Sequence, residues 1–356
     1  MDKLGLSIAL AAVLATVLSL ATSLPQPALG YLADRFGRRA FLAAGPVIAG
    51  VFLSLIGASP TFWLLLVVLT IGGIGSAGFH PPGASLVARA ADGRGSGLRL
   101  SIFSFGGAAG FAIGPLVAVS LVAALGLERL WVAMIPGIVL GAVLWFVMRG
   151  QPAANARSSP PSPLEVLRLL RGPLGFVFGI SAVGAFAQRT FLTFVPIIAN
   201  DAGVSEAGGA AMLSIYLGAQ ALGTLTSGYL TDRLNRQHIL IAVSAISVPV
   251  HVLAVVLEPA SSLAVASAIG AGFCNMALLP PVVVMAQEMV PAGTATSSGI
   301  VMGFAWAMGT LLLPISGLFA DSFGSVAVAG WSMPALFLAT LFALHPSLKP
   351  FSYAKD

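Results

Sequence analysis

A carboxylate followed by three guanidinium groups closes the first apolar stretch of the chain, in Gly30-Tyr-Leu-Ala-Asp34-Arg35-Phe-Gly37-Arg38-Arg39. A related segment, Gly228-Tyr-Leu-Thr-Asp232-Arg233-Leu-Asn-Arg236-Gln237, closes a later stretch 198 positions on. The start of a helix offers unpaired N–H groups and partial positive charge, so a carboxylate placed there gains roughly 0.3–1 kcal/mol. The simpler reading of the same residues is a basic cluster that sets membrane topology. Arg189 lies inside an apolar run beside Gln188, between Phe186 and Phe191. Ionisable groups at that depth are costly and mark function by default; Arg189 can attract an anionic substrate, fix a gate, or snorkel to an interface. His80 precedes Pro81-Pro82, which free backbone carbonyls by removing donors. It reads equally as a proton carrier and as a structural histidine, whereas His251 reads as structural. Tyr216, Gln220 and Asn275 are further polar candidates for a cavity.

Other chemistry is excluded by what these residue types do not form. The only lysines are Lys3, Lys349 and Lys355, so there is no phosphate-binding Walker loop. Gly73-Ile-Gly75-Ser-Ala-Gly78 has the spacing of a dinucleotide fingerprint, but it lies within an apolar run with no strand before it and reads as close helix packing. The four histidines are scattered and there is no G-x-S-x-G or H-E-x-x-H, so neither an enzyme centre, a metal site nor a cofactor is expected. Cys274 is a lone cysteine. The net charge of +5 is not gathered on one face, so nucleic acid is not a partner.

The elements that position these residues follow from composition. Of 356 residues, 58% are apolar and only 8% charged, and mean hydropathy is +0.99. The chain cannot coat soluble domains of this length; its outer surface answers to lipid. Eleven spans of about 20 apolar residues, A to K, are predicted at Leu6–Gly30, Ala40–Ala58, Phe62–Ala88, Leu98–Leu125, Leu130–Met148, Leu174–Ala199, Ala207–Leu230, Ile239–Leu257, Leu263–Gln287, Thr294–Phe319 and Val326–Ala343. Residues 149–173, rich in Pro, Ser and Arg, form the expected cytoplasmic linker between bundles at 1–148 and 174–356. With the A–B connection inside, the inner loops and tail collect fourteen basic residues (Arg35, Arg38, Arg39, Arg89, Arg94, Arg99, Arg149, Arg157, Arg168, Arg171, Arg233, Arg236, Lys349 and Lys355), against Lys3 and Arg129 outside. The positive-inside bias then makes the carboxy tail cytoplasmic and, with eleven spans, the amino end external.

The offset between the two acidic loops persists. Pro81-Pro82 matches Pro280-Pro281, and Gly114-Pro115 matches Leu313-Pro314. Spans A–E therefore repeat as G–K, a duplicated bundle of the kind that carries a central transport site, and span F has no partner. The simplest expectation is that one helix is missing at the amino end, either by truncation or by a misplaced start. The Gly30–Arg39 segment resembles the signature inner loop of the major facilitator superfamily, with Gly228–Gln237 similar to its second-half copy. Phe79-His80-Pro81 through Gly114-Pro115, and Ala286-Gln287-Glu288 through Ala320-Asp321, resemble the fosmidomycin-resistance group within it. The resemblance covers nearly all of the chain from about Gly5 and implies an all-α, two-bundle integral membrane fold of twelve helices, the first absent here. It implies that Asp34 caps span J near Thr294 when the inner side is closed, with Arg35, Arg38 and Arg39 pairing with acidic groups and lipid phosphates.

Gly106, Gly110, Gly114 and Pro115 resemble the antiporter motif of drug exporters and read otherwise as a packing seam; Ala118 and Val119 depart from the glycines expected next. The family's arginine early in span C is replaced by Ile71. No carboxylate lies in the middle of a span, so proton coupling is implied by the resemblance alone. The expectation is a monomeric transporter of the inner (plasma) membrane, exporting a small drug-like or anionic compound against protons. An importer or facilitator of the same fold is the alternative, with a membrane enzyme or channel more remote.

Overall fold

The computed structural model describes residues 8–89, 95–150, 160–259 and 261–353, and every element among them is helical. Lys3, Arg94, Arg157 and Lys355 of the charge count, and linker residues 151–159, lie outside the described residues. The helices are α1 (Ile8–Ser23), α2 (Gln26–Phe36), α3 (Arg38–Ser54), α4 (Phe62–Arg89), α5 (Ser96–Leu125), α6 (Met134–Val147), α7 (Pro163–Arg168), α8 (Pro173–Asp201), α9 (Glu206–Thr231), α10 (Arg236–Val256), α11 (Ser262–Ala277), α12 (Leu279–Met289), α13 (Thr294–Ser298), α14 (Ala305–Phe323), α15 (Ser325–Ser332) and α16 (Leu336–Ala343). Among the described residues, eight stretches are long and apolar enough to cross a membrane. They fall on spans A, C, E, F, H, I, J and K; α3, α5 and α9 fall on spans B, D and G.

Contacts divide the chain into two compact units. The first comprises Met1–Leu86, Ile113–Leu167 and Val290–Ala307; the second comprises Val87–Ala112, Arg168–Met289 and Met308–Asp356. Each unit thus includes one segment from the other half of the sequence: the first part of span D or of span J, which occupy matching positions in the repeat. In the first unit, α3 packs on α6, and α2 packs on α13. The opposite face of α6 exposes Ile135, Val139, Leu140 and Phe146, a surface suited to lipid. In the second unit, α9 and α10 flank α11, and Phe191, Tyr216, Met333 and Leu336 centre a buried core.

Four local features differ from the sequence expectation. The acidic segment closing span A is not a loop: α2 continues through Asp34 to Phe36 and stops at Gly37, whose φ of 102° is the left-handed region glycine tolerates. Span J is not one α-helix, because residues Gly299–Phe304 form a wider π turn between α13 and α14. There the backbone of Gly299 meets the Gln26–Pro27 peptide so closely that a Cβ would collide with it. Span I breaks at Leu278, ahead of Pro280-Pro281, whereas α4 runs unbroken through Pro81-Pro82. The described end of the linker holds α7, started by a reciprocal capping box: Ser162 N donates to Glu165 Oε2 at 2.7 Å, and Glu165 N to Ser162 Oγ at 3.3 Å.

Candidate functional site

The Asp34 side chain is only 1% exposed. Its Oδ2 accepts from the backbone N–H of Ala295 at 3.0 Å and of Thr296 at 2.9 Å, and from the Thr296 hydroxyl at 3.0 Å. Its Oδ1 accepts from Arg38 Nη2 at 2.5 Å. The start of α13 has no side-chain cap of its own, unlike α9, α10 and α11, which are capped by Ser205, Asn235 and Ser261. Asp34 supplies that cap from another helix. Arg38 Nη2 also donates to Thr294 Oγ1 at 3.2 Å, and Thr294 shares a 2.5 Å hydrogen bond with Ser85. Such proximity needs Gly30, where a Cβ would collide with the Ala295 carbonyl.

The second copy repeats this arrangement with its own partners. Asp232 Oδ1 accepts from Gly97 N at 2.8 Å and Oδ2 from Leu98 N at 2.9 Å, at the start of α5. Gly97 and Leu98 precede Ala295 and Thr296 by the same 198 positions that separate Asp34 from Asp232. Gly228 stands to Gly97 as Gly30 stands to Ala295: a Cβ on it would collide with Ser101 and approach the Gly97 carbonyl. The repeat seen in the residues therefore extends to the hydrogen-bond partners.

The basic residues divide by burial. Arg35 is exposed, donating to the Tyr31 hydroxyl at 3.0 Å, and Arg233 is exposed with its guanidinium 3.6 Å from the Tyr229 ring centroid. Arg39 Nε donates to the Trp145 carbonyl at 2.9 Å. Arg236, counted from sequence only as a topogenic charge, is fully buried. It pairs with Glu288 Oε1 at 2.8 Å and donates from Nη1 to the Phe351 carbonyl at 3.3 Å and from Nε to the Thr231 carbonyl at 3.3 Å. The signal that identifies it is the repeat offset, which aligns Arg236 with Arg38.

In the second unit, three of the polar candidates form one chain. Asn275 Nδ2 donates to the Gly184 carbonyl at 2.8 Å, Gln220 Nε2 to Asn275 Oδ1 at 3.1 Å, and Gln188 Nε2 to Gln220 Oε1 at 3.0 Å. The Gly184 carbonyl can only accept, so it fixes the orientation of all three amides in sequence. Tyr216 is fully buried, stacked on Phe191 with ring centroids 4.0 Å apart, and its hydroxyl lies 3.4 Å from His251 Nε2. Arg189 is half-buried on α8 beside Gln188. His80 lies in the first unit, partly exposed, with its ring centroid 5.8 Å from that of Phe79 in an edge-on arrangement. Gly106, Gly110 and Gly114 are exposed, and a Cβ on any of them would meet no atom within 4 Å. Pro115 lies on the same helix.

Comparison with known proteins fits this geometry. A family model of the Major Facilitator Superfamily matches residues 1–205 and again 175–351. The fosmidomycin resistance protein of Escherichia coli (strain K12) is 28% identical over 310 residues, covering 85% of this chain and 75% of that protein. The uncharacterized MFS-type transporter YfnC of Bacillus subtilis (strain 168) is 25% identical, with 88% and 78% covered. A probable 4-methylmuconolactone transporter of Cupriavidus pinatubonensis is 28% identical, with 86% and 73% covered. Among solved structures, the E. coli fucose:proton symporter FucP superposes with a TM-score of 0.78 at 13% identity, covering 94% of this chain and 90% of that one, a likeness of fold.

Proposed function

Because the chain belongs to the major facilitator superfamily of multi-pass membrane transporters, we propose that it is a secondary active transporter working by alternating access, exporting a small drug-like or anionic compound in exchange for protons. The observation that carries the alternating-access reading is the pair of caps, Asp34 on α13 and Asp232 on α5, at matching positions of the repeat. Each links the end of one span to the start of another through a carboxylate and two backbone donors. An exposed cap contributes roughly 0.3–1 kcal/mol, and a partly buried one up to about 2 kcal/mol. Two such links suit a gate that holds one side shut yet opens when substrate or proton binding supplies a few kcal/mol.

Fourteen basic residues against two favour a gate on the cytoplasmic side, with the carboxy tail cytoplasmic and the chain in the inner membrane. Arg189 with the Gln188–Gln220–Asn275 chain is the candidate substrate region, since a guanidinium suits an anion and oriented amides suit polar groups. Export is supported by the likeness to the fosmidomycin resistance protein. Import or facilitated passage of a metabolite is the second reading, favoured by the equally identical probable 4-methylmuconolactone transporter.

The test is transport in proteoliposomes, with a panel of small anions that includes fosmidomycin and 4-methylmuconolactone, with and without an imposed proton gradient. Uphill movement driven by the gradient, lost in Arg189→Ala, is expected. Flux that never exceeds the substrate's own gradient would refute proton coupling and leave the facilitator reading.

A further inference from the structure

The second unit carries a groove of about 560 Å³ between the end of α9 and the start of α10. Its walls are apolar, from Leu230, Leu234, Ile239 and Val243, and its rim is polar, from Arg233, His238 and Tyr353. The repeat aligns Arg233 with Arg35, but neither it nor the transport reading accounts for the apolar trough beneath that arginine. The volume lies within the range of about 300–1,000 Å³ usual for small-molecule sites.

Among the described residues, no carboxylate lines the groove. Asp232, the nearest acid in sequence, is occupied by the N–H groups of Gly97 and Leu98. The Arg233 guanidinium lies over the Tyr229 ring and donates once, to the Tyr229 carbonyl at 3.2 Å. That contact steadies the side chain and, among the described residues, leaves most of its five donors unused. His238 is exposed, and its backbone N–H is engaged by Asn235 Oδ1 at 2.9 Å. The Tyr353 ring is 63% exposed at the same rim. A steadied cation, an imidazole and a phenol above an apolar trough suit an amphiphile with an anionic head, and the groove lies between the end of α9 and the start of α10, where spans G and H are expected to meet the headgroup layer.

We propose that this groove binds an anionic phospholipid, its phosphate held by Arg233, His238 and Tyr353 and an acyl chain lying along Leu230, Leu234, Ile239 and Val243. Arg233 directly follows Asp232, so a lipid that holds Arg233 also favours the turn in which Asp232 caps α5.

The test uses the full chain reconstituted in equimolar phosphatidylglycerol and phosphatidylcholine, with retained lipid counted by native mass spectrometry. Preferential retention of phosphatidylglycerol is expected. Arg233→Gln lowers that affinity roughly fivefold, the effect of one basic residue beside an anionic membrane. Ala242→Trp fills the trough, keeps the charges and lowers retention, and Arg149→Gln, an exposed arginine of the first unit that does not line the groove, lowers it less than Arg233→Gln does. Each variant is first shown to unfold at the wild-type temperature in detergent. Equal retention of the two lipids, or retention indifferent to both Arg233→Gln and Ala242→Trp, overturns the proposal. So does saturable binding of inorganic phosphate by delipidated protein with no gain from an acyl chain, which would mark a soluble-anion site.

Discussion

Replacing Asp34 with asparagine keeps the size of the side chain and removes its charge. If the remaining oxygen stays on the Ala295 and Thr296 N–H groups, the new NH2 faces Arg38 Nη2 across a contact of 2.5 Å. If the amide flips, the NH2 faces the two backbone donors at 3.0 and 2.9 Å. Either orientation sets donor against donor, and neither restores an anion at the start of α13. Hydrogen bonds to charged groups contribute about 1.5–3 kcal/mol, and a partly buried charge at a helix start up to about 2 kcal/mol. Some of the hydrogen bonding survives in asparagine, so the net loss is about 2 kcal/mol, or about thirtyfold in an equilibrium. The loss falls on the arrangement in which α2 and α13 touch, because only there does the carboxylate meet its donors.

Hydrogen exchange at the Ala295 and Thr296 amides, measured in nanodiscs, reads that equilibrium directly. Exchange about thirtyfold faster in Asp34→Asn is expected, with slower transport and an almost unchanged unfolding temperature. Asp232→Asn should do the same at Gly97 and Leu98. Exchange at wild-type rates in both Asp34→Asn and Asp34→Ala would refute the cap as an element of a gate.

Three further outcomes follow from the same geometry. Gly30→Ala and Gly228→Ala should each lose about 1–3 kcal/mol through the backbone collisions described above, while Gly110→Ala, whose Cβ meets nothing within 4 Å, should unfold at the wild-type temperature. Arg236→Met and Glu288→Leu should each cost about 3–5 kcal/mol by stranding a charge, and the double variant should recover much of it, as a double-mutant cycle of unfolding would record. Asn275→Leu should cost about 1–3 kcal/mol and slow transport, because it removes one buried donor from the Gly184 carbonyl and one acceptor from the Gln220 NH2; Gln188→Leu, at the end of the chain, should cost less in the same unfolding assay.

The all-helical membrane fold was legible because apolar length is a direct physical requirement of the bilayer. The matched loops were legible because a fixed offset does not depend on what the loops touch. The repeat did not disclose burial. Charge counting treats Arg236 and Arg233 alike, yet one is sealed against Glu288 and the other lies exposed on Tyr229. Glycine spacing has the same blind spot: a stripe such as Gly106, Gly110 and Gly114 shows that a helix face is smooth, not that anything covers it. The tight approaches occur instead where single glycines face a backbone, as Gly223 does at Phe273 and Gly272 at Tyr216. The π turn depends on the contact between Gln26 and Gly299, 273 residues apart, and no local pattern announces it.

The two copies of the loop also show which part of the motif geometry requires. Arg39 donates to the Trp145 carbonyl, and Gln237, its counterpart, donates to the Ala343 carbonyl at 2.9 Å. Trp145 and Ala343 are again 198 positions apart. The shared element is a long side chain carrying an N–H to the last turn of a neighbouring helix, and charge is secondary to it. Arg39 is half-buried with its guanidinium 3.8 Å from the Trp145 ring centroid, where a cation is accommodated by the ring face. Gln237 is buried beside the fully buried Arg236, which among the described residues has one carboxylate partner. A second cation there would lie uncompensated in a site that already holds one charge pair, at a cost of several kcal/mol. A neutral amide keeps the hydrogen bond, takes a second carbonyl from His345 at 3.1 Å, and receives the Ser352 hydroxyl at 3.3 Å on its oxygen. Burial at the second copy therefore explains its weaker match to the signature: the hydrogen-bond geometry is kept, and the charge that the half-buried copy carries is not.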